Sequence, residues 1–274
     1  MENGRLLCGR KWSRMSGLHD SDQFVRLAEP SAPEAHDRAG VRVDSTEQDT
    51  CVSPERIGRL LQWGSVDYGK AWTYQHRLVE ARRRGHAADT LILLEHEPVV
   101  TLGRTARDSH WRGAIDELRQ RGIGVYQVER GGSATYHGPG QIVGYPILQL
   151  KTYSPGPKRY VEMLEEVIIR VLAEWAIVGH RVKQWRGVWV EDERHTFRKI
   201  ASVGVRIASG VTMHGFALNV SMDLAPFNLI IPCGLEGIRV TSMAEVLGHE
   251  VSIEEVKAQI AQHFGAVFGL RWIP

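Results

Sequence analysis

The sequence predicts an α+β fold. Beyond residue 60 the chain shows both strand-like apolar runs and apolar residues at helical spacing, and the two patterns do not alternate as they do in regular βαβ folds. With 274 residues the chain is long enough to bury a sizeable core. Glycine accounts for 28 residues, about 10% against an average of ~7%, which indicates tight turns or close backbone approaches.

Hydrophobic spacing and end signals predict four helices. The first ends before Gly85, the second before Gly122, the third opens at Pro157, and the fourth follows a capping box formed by Ser252 and Glu255. Their ranges are residues 67–84, 114–121, 158–175 and 253–269. Apolar runs between them predict strands over residues 90–95, 99–102, 125–129, 141–150, 188–191, 200–207 and 216–220.

Residues 1–54 differ from the rest, and we expect them to form a disordered extension before a single domain over residues 55–274. Residues 1–50 contain seven Lys or Arg and nine Asp or Glu, with no hydrophobic period that would support a buried face. The basic start, with Arg5, Arg10 and Arg14, has the charge of an organelle transit peptide. The acidic residues from Asp20 onward are untypical of one.

The composition argues against several classes of protein. The 34 Lys or Arg against 32 Asp or Glu leave a formal charge of +2, which argues against an obligate nucleic-acid binder. No apolar run reaches the ~18 residues of a membrane-spanning helix. The three cysteines, Cys8, Cys51 and Cys233, form no C-x-x-C pair. We therefore expect neither a disulfide framework nor a structural zinc site, and we expect a cytoplasmic protein.

The densest candidate site is a glycine-rich block between two predicted strands. Such a block can simply reverse the chain, because Gly and Pro are the commonest turn residues. It can also bring bare backbone close to a ligand that the polar side chains orient. The block consists of Arg130, Gly131, Gly132, Ser133, Ala134, Thr135, Tyr136, His137, Gly138, Pro139, Gly140 and Gln141.

Lys199 opens an apolar run that we expect to be a strand. A Lys at a strand end is usually solvated, but a partly buried ammonium that gives up its proton more easily can act as a base or as a charge partner. A second His-Gly pair, His214 and Gly215, precedes another predicted strand. A histidine there can simply make a structural hydrogen bond.

Cys233 lies between Pro232 and Gly234, in a turn rather than in a helix or strand interior. A lone cysteine is usually inert packing. The flanking Pro and Gly favour an exposed thiol, and a thiolate beside a cation is a nucleophile. On the residues alone, both interpretations stay open.

Together these blocks resemble the octanoyltransferases of lipoate biosynthesis, the lipoyl(octanoyl) transferase or lipoate-protein ligase B family. The resemblance covers about residues 60–270 and leaves the extension outside. Its motifs are Arg-Gly-Gly-x-x-Thr-Tyr-His-Gly-Pro-Gly-Gln over residues 130–141, Lys-Ile-Ala-Ser-Val-Gly over 199–204, His-Gly-Phe-Ala-Leu-Asn-Val over 214–220 and Pro-Cys-Gly over 232–234.

The resemblance implies a mixed central sheet with flanking helices, as in the catalytic domains of biotin and lipoate protein ligases. It implies that an octanoyl group moves from octanoyl-acyl carrier protein to a lysine of a lipoyl domain through a Cys acyl-thioester, without ATP, any other cofactor or a metal. The implied acceptors are the lipoyl domains of 2-oxoacid dehydrogenase E2 subunits and the glycine cleavage H protein. Neither a nucleic acid nor a membrane is an expected partner.

The same resemblance implies roles for individual residues. Cys233 is the acyl-thioester nucleophile, and Lys199 favours its thiolate form and serves as general base. The implied substrate-binding residues are Arg130, Gly131, Gly132, Ser133, Ala134, Thr135, Tyr136, His137, Ser202, Val203, Gly204, Gly215, Phe216 and Ala217.

Two rival interpretations use the same residues. An ATP-dependent lipoate or biotin ligase shares the Gly-Gly loop and the Lys, but it activates a free acid as an adenylate and needs no Cys. Cys233 in its Pro-Cys-Gly turn favours transfer, and a requirement for ATP would favour the ligase. A non-catalytic protein that binds lipoyl domains or acyl carriers would keep its cellular activity after Cys233→Ser.

Deleting residues 1–50 is expected to leave the transfer rate and the thermal midpoint nearly unchanged. A segment that buries little apolar surface cannot offset an ordering entropy of ~1–2 kcal/mol per residue. Activity assays and thermal melts of the full and shortened chains make the comparison. A shortened chain that fails to fold, or that loses activity, would show that the extension packs on the core.

Overall fold

The structure is a computed structural model that describes residues 56–107, 115–231 and 237–273. Strands dominate it and are numbered in chain order. They are β1 (Arg56–Val66), β2 (Asp89–His96), β3 (Val99–Leu102), β4 (Gly124–Gln127), β5 (Ala134–His137), β6 (Gln141–Ile147), β7 (Gly179–Val182), β8 (Trp185–Glu191), β9 (Phe197–Ala208), β10 (Val211–Asn219), β11 (Arg239–Val240) and β12 (Leu270–Ile273).

The helices pack around these strands. They are α1 (Tyr68–Arg83), α2 (Ile115–Gln120), α3 (Leu150–Tyr153), α4 (Pro157–Glu174), α5 (Met243–Leu247) and α6 (Ile253–Phe268), with a 3₁₀ turn over Ala225–Leu229. The cap predicted at Ser252 is confirmed at the start of α6, and α1 has a cap that was not predicted. Asp67 accepts a hydrogen bond from the Lys70 amide, and Ser252 accepts one from the Glu255 amide.

The strands of the described residues form two sheets. The larger sheet has the order β12-β1-β2-β6-β10-β9-β8-β7, with β11 paired to β9, and the smaller has the order β4-β3-β5. In the larger sheet β12, β1 and β2 run parallel, whereas the pairs from β2 through β7 are antiparallel. The α+β prediction, with a mixed sheet and flanking helices, is therefore confirmed.

Side-chain alternation gives the larger sheet two buried faces. On β2, Leu91 and Leu93 join the core beneath α4 and α6, whereas Ile92 and Leu94 point to the opposite face, where α1 packs. On β10, Phe216 and Leu218 likewise join the first core and Ala217 the second. The candidate site described below lies on the α1 side of this sheet.

Two predictions of local structure are wrong. The strand predicted over residues 141–150 ends at Ile147, and Leu150 begins α3. The buried Asp89 carboxylate accepts the Gln149 amide (2.8 Å) and the Tyr153 hydroxyl (2.6 Å), which stabilises the turn at the start of α3. The glycine-rich block is also not a loop throughout, because Ala134–His137 forms β5 and pairs with β3.

Other elements were not predicted. β1 and β12 bear little pattern of their own, and they form through pairing with neighbours distant in sequence. The predicted extension over residues 1–54 and the predicted nucleophile Cys233 lie outside the described residues, so the extension and the single domain over residues 55–274 stay predictions.

Replacing Asp89 is expected to destabilise the fold. Besides Gln149 and Tyr153, Asp89 binds Arg82 on α1 with its Oδ1 2.6 Å from Nε, and so it joins α1, β2 and α3. Removing one partner of a buried ion pair costs ~3–5 kcal/mol of stability, because the other charge is left unpaired. We expect Asp89→Ala to lower the free energy of unfolding, measured in urea, by about 3 kcal/mol.

The matched control is Glu80→Ala. Glu80, like Asp89, forms ion pairs with arginine, but its partners Arg83 and Arg84 are exposed. The control should leave the urea midpoint unchanged, because exposed ion pairs contribute little to stability. Equal effects of the two substitutions would contradict the role given to Asp89.

Candidate active site

A cleft opens on the α1 side of the larger sheet. Its walls come from α1, the glycine-rich segment with β5, and the facing strands β6, β9 and β10. The described residues that line it are Tyr68, Arg130, Gly131, Gly132, Ser133, Ala134, Thr135, His137, Val143, Tyr145, Ser202, Val203, Gly204, His214, Gly215, Phe216 and Ala217. Most of these side chains are apolar, aromatic or absent, as expected of a slot for a small organic group.

The cleft depends on a close approach between the glycine-rich segment and β9. The Gly131 amide donates a 2.9 Å hydrogen bond to the Val205 carbonyl. A Cβ on Gly204 would lie 2.9 Å from the Gly131 carbonyl oxygen, closer than such contacts occur in proteins. Glycine at position 204 therefore lets the smaller sheet dock on the larger one.

Arg130 brings a buried cation to the cleft. Only 8% of the residue is exposed. Its Nη2 donates to the Thr101 carbonyl (2.6 Å) and to the Thr101 hydroxyl (2.9 Å), and its Nη1 donates to the Gly131 carbonyl (3.0 Å). These bonds hold the guanidinium against β3 and the glycine-rich segment.

His137 is neutral, and its hydrogen bonds assign the tautomer. Gln141 Nε2 donates to the Tyr136 carbonyl and to Asn219 Oδ1, so Gln141 Oε1 is left to accept from His137 Nδ1 at 2.7 Å. The Thr101 hydroxyl, 3.4 Å from Nε2, donates to the ring. Burial, with the nearby His96 and Arg130, lowers the pKa of His137 to about 3.

His96 and Tyr145 form a second buried pair, in which Tyr145 lines the cleft. His96 Nδ1 donates to the Val66 carbonyl (2.8 Å), so its Nε2 accepts from the Tyr145 hydroxyl (2.7 Å). Burial lowers the pKa of His96 to about 4 and raises that of the Tyr145 phenol well above its usual value. Both groups are therefore uncharged at neutral pH.

His214 lies in an unusual backbone conformation for a residue with a side chain. Its φ of 57° is in the left-handed region, and its amide donates to Gln75 Oε1 at 3.0 Å. Burial, and then the charges of Arg130, His76 and Arg206, lower the pKa of His214 to about 3. Its Nε2 has no hydrogen-bond partner among the described residues, and Glu129 Oε2 lies 3.9 Å away.

Lys199 is buried on β9 but does not belong to the described residues that line the cleft. It precedes Ser202, which does, by three residues, or ~10 Å along a strand. Its Nζ donates to the Arg186 carbonyl at 2.8 Å and lies 5.0 Å from the centroid of the Trp189 ring. Its backbone pairs with Val240 on β11.

The structure brings together all but one of the residues predicted to bind substrate. The exception is Tyr136, whose side chain points away from the cleft because neighbours on a strand alternate. It packs edge-on against Phe227 at 5.6 Å, in the small core of Val100 and Leu102. The binding roles of the others stay predictions.

Four lining residues were missing from the prediction: Tyr68, Val143, Tyr145 and His214. His214 gave a signal in the repeated His-Gly pair, but its alternative as a structural histidine could not be decided from the sequence. Tyr68 and Tyr145 gave none, since a tyrosine in an apolar pattern is typical of a core. Among the described residues no group of three or more His, Cys, Asp and Glu could hold a metal ion.

Comparison with known proteins decides the family. The model of the lipoyl protein ligase A/B catalytic domain matches residues 67–265. The octanoyltransferase of Chloroflexus aurantiacus is 47% identical over 208 residues, which cover 76% of this chain and 92% of the relative. The chain belongs to the lipoyl protein ligase A/B catalytic-domain family. The octanoyltransferase of Koribacter versatilis is 45% identical over 212 residues, which cover 77% and 84%. Like these relatives, the chain is an acyltransferase.

Solved structures confirm the fold of the family. A chain from the bi-partite lipoate protein ligase of Thermoplasma acidophilum, studied with its E2 lipoyl domain, superposes with a TM-score of 0.61 at 17% identity, covering 80% of this chain and 86% of that one.

None of the described helices is long and apolar enough to span a membrane.

The neutral histidines of the site are expected to make stability depend on pH. His96, His137 and His214 each have a pKa in the folded state below the ~6.5 of an unfolded chain. At a pH between these two values, each therefore binds a proton when the chain unfolds. The stabilisation is complete above pH ~6.5 and is lost as the pH falls, by up to ~1.4 kcal/mol per pH unit for each histidine.

His214→Asn isolates one of these contributions, because Asn adopts the left-handed conformation readily and does not titrate. Urea unfolding between pH 4 and 6 should show a slope of free energy against pH that is lower by about one proton than in the wild type. Identical slopes in the two proteins would show that His214 is not held neutral by the fold.

Proposed function

We propose that this acyltransferase moves an octanoyl group from octanoyl-acyl carrier protein to a lysine of a lipoyl domain, through an acyl-thioester on Cys233. The observation that carries the proposal is the identity of 45–47% to octanoyltransferases over most of the chain, together with the buried Lys199 amine. Cys233 is proposed as the nucleophile because it lies in a Pro-Cys-Gly motif that resembles the motif of the octanoyltransferases.

The cleft suits the acyl chain of such a substrate. The side chains of Val143, Phe216 and Ala217 offer apolar contacts to such a chain. The histidines around it are neutral, which avoids placing full charges against a hydrocarbon. Arg130 keeps its cation bonded to Thr101.

In the first step the Cys233 thiolate attacks the thioester carbonyl of the donor. A new carbon–sulfur bond forms, the bond to the carrier thiol breaks, and the carrier leaves as a thiolate that takes up the proton of the Lys199 ammonium, which leaves Lys199 as a neutral amine. Exchange of one thioester for another has little cost in free energy, so no ATP is needed. The Lys199 ammonium favours the attacking thiolate.

In the second step the acceptor lysine amine attacks the acyl-enzyme carbonyl. A carbon–nitrogen bond forms, the bond to Cys233 breaks, and the amine loses a proton, which Lys199 accepts in this proposal. Val240, a few residues beyond Cys233 in the chain, pairs with Lys199, and this supports bringing the two residues to one site.

The acceptor proteins are proposed from the same resemblance: the lipoyl domains of 2-oxoacid dehydrogenase E2 subunits and the glycine cleavage H protein. An ATP-dependent ligase would share the fold, but the similarity to octanoyltransferases favours transfer. A cytoplasmic location stays a prediction from cysteine usage.

Incubation with octanoyl-acyl carrier protein should add one octanoyl group to the enzyme, located at Cys233. Intact-mass spectrometry with peptide mapping makes the measurement. Cys8→Ala and Cys51→Ala serve as controls and should form the adduct normally. A Cys233→Ala enzyme that transfers at the wild-type rate would rule out this mechanism.

Lys199→Arg separates the two steps. Arg keeps a positive charge beside the thiol but cannot lose its proton near neutral pH. We expect the variant to keep part of its acylation by octanoyl-acyl carrier protein and to lose transfer to the lipoyl domain, by at least ~100-fold if Lys199 is the general base. Quenched single-turnover assays measure the two rates separately, one for acylation of the enzyme and one for transfer to the lipoyl domain. Normal turnover would make the base assignment wrong.

A further inference from the structure

One peptide group separates the Lys199 amine from a buried carboxylate. Lys199 Nζ donates to the Arg186 carbonyl at 2.8 Å. The amide of the same peptide unit, the N–H of Gly187, donates to Glu165 Oε1 at 2.9 Å. Glu165 belongs to α4, on the far side of β8, and it does not contact Lys199 in any described bond. The two side chains therefore hold the two ends of a single peptide dipole.

The backbone at this peptide is shaped for the contact. Gly187 has a φ of 101°, which favours glycine. A Cβ there would lie 2.3 Å from the Ala201 carbonyl oxygen and 3.0 Å from Lys199 Cε. The register of β8 against β9 also shifts between Val188 and Trp189, as at a bulge. Bulges re-aim backbone groups, and here the Arg186 carbonyl meets the amine.

Glu165 is costly to bury and is not needed as an ordinary surface acid. Its side chain is 4% exposed, and burial raises the pKa of its carboxyl. Its second oxygen, Oε2, lies 3.5 Å from Arg181 Nε. The neighbouring Glu166 binds Arg181 more closely, at 2.6 Å, so pairing with Arg181 does not require Glu165. What Glu165 alone supplies is an acceptor for the Gly187 amide.

We propose that Glu165 is a positioning residue for Lys199, acting through the Arg186–Gly187 peptide; this rests on the catalytic role proposed above for Lys199. A lysine side chain has four rotatable bonds and loses much rotamer freedom when it is held. By fixing the peptide, Glu165 fixes the carbonyl that holds Nζ at the end of β9. The amine then stays in place while it gives up and regains its proton.

The test uses three substitutions of Glu165 in the full chain. Glu165→Gln keeps an oxygen at the same reach and loses the charge. Glu165→Asp keeps the charge and withdraws it from the amide, and Glu165→Leu removes the acceptor at similar volume. The proposal depends on whether the side chain at position 165 reaches the Gly187 amide, so we expect Glu165→Gln to retain most of the wild-type transfer rate. Asp and Leu should each lose about tenfold, the rate equivalent of one hydrogen bond to a charged group.

The readouts separate positioning from folding. The loss should appear in kcat for transfer to the lipoyl domain, with KM for that domain unchanged, because Glu165 does not touch the acceptor. Thermal midpoints are recorded for all variants. Glu166→Gln is the matched control: it weakens the contacts to Arg181 and leaves the peptide alone, and it should transfer at the wild-type rate.

The outcomes distinguish this inference from the proposed function. If Lys199→Arg loses transfer but folded Glu165→Asp transfers at the wild-type rate, Glu165 has no positioning role. If Gln falls as far as Asp, or if Glu166→Gln falls equally, the inference is also wrong. Because Gln and Asp are both polar and close in size, their comparison decides the question even if Leu does not fold. Normal turnover of Lys199→Arg would instead overturn the catalytic role proposed above for Lys199.

Discussion

The hydrogen bond from the Gly131 amide to the Val205 carbonyl joins the smaller sheet to the larger one, and the cleft exists because of it. The contact requires two backbones to meet without side chains between them. Gly204 meets that requirement on β9, where a Cβ would lie 2.9 Å from the Gly131 carbonyl oxygen. Part of the excess of glycine in the composition therefore lies at this contact.

With the sheets joined, β9 carries one wall of the cleft and Lys199 along the same strand. Its middle, from Ser202 to Gly204, lines the cleft, and its start holds the buried Lys199 amine. Arg130, bonded to Thr101, provides the cation beside the cleft. His137 and His214 stay neutral because they are buried and because the charge of Arg130 is near. The arrangement keeps an apolar slot separate from a polar end where proton transfer is proposed.

Local signals in the sequence were sufficient for much of the fold. Helical spacing, the Ser252 capping box and the glycines after the helices placed α1 and α6 to within one residue. Elements that form through distant partners were not predictable in this way. β1 depends on pairing with β2 and β12, and β5 is hidden in a glycine-rich block that only its pairing with β3 turns into a strand.

The same limit applies to the site. Motif residues such as Gly131 and Ser202 were predicted to lie together, and they do. Tyr136 was included because it stands inside the motif, although strand alternation turns it away. Glu165 gave no signal at all, because its significance comes from a peptide group 21 residues later in the chain. Long-range contacts of this kind can be found only in three dimensions.

The central claim is that the cleft holds an acyl chain whose thioester is formed at Cys233 beside Lys199. A crystal structure of the enzyme acylated by octanoyl-acyl carrier protein tests it most directly. The account predicts an octanoyl chain between Gly131 and Phe216, joined to Cys233, with Lys199 Nζ within hydrogen-bond distance, ~3 Å, of the thioester. An acyl group outside this cleft, or attached to another residue, would contradict it.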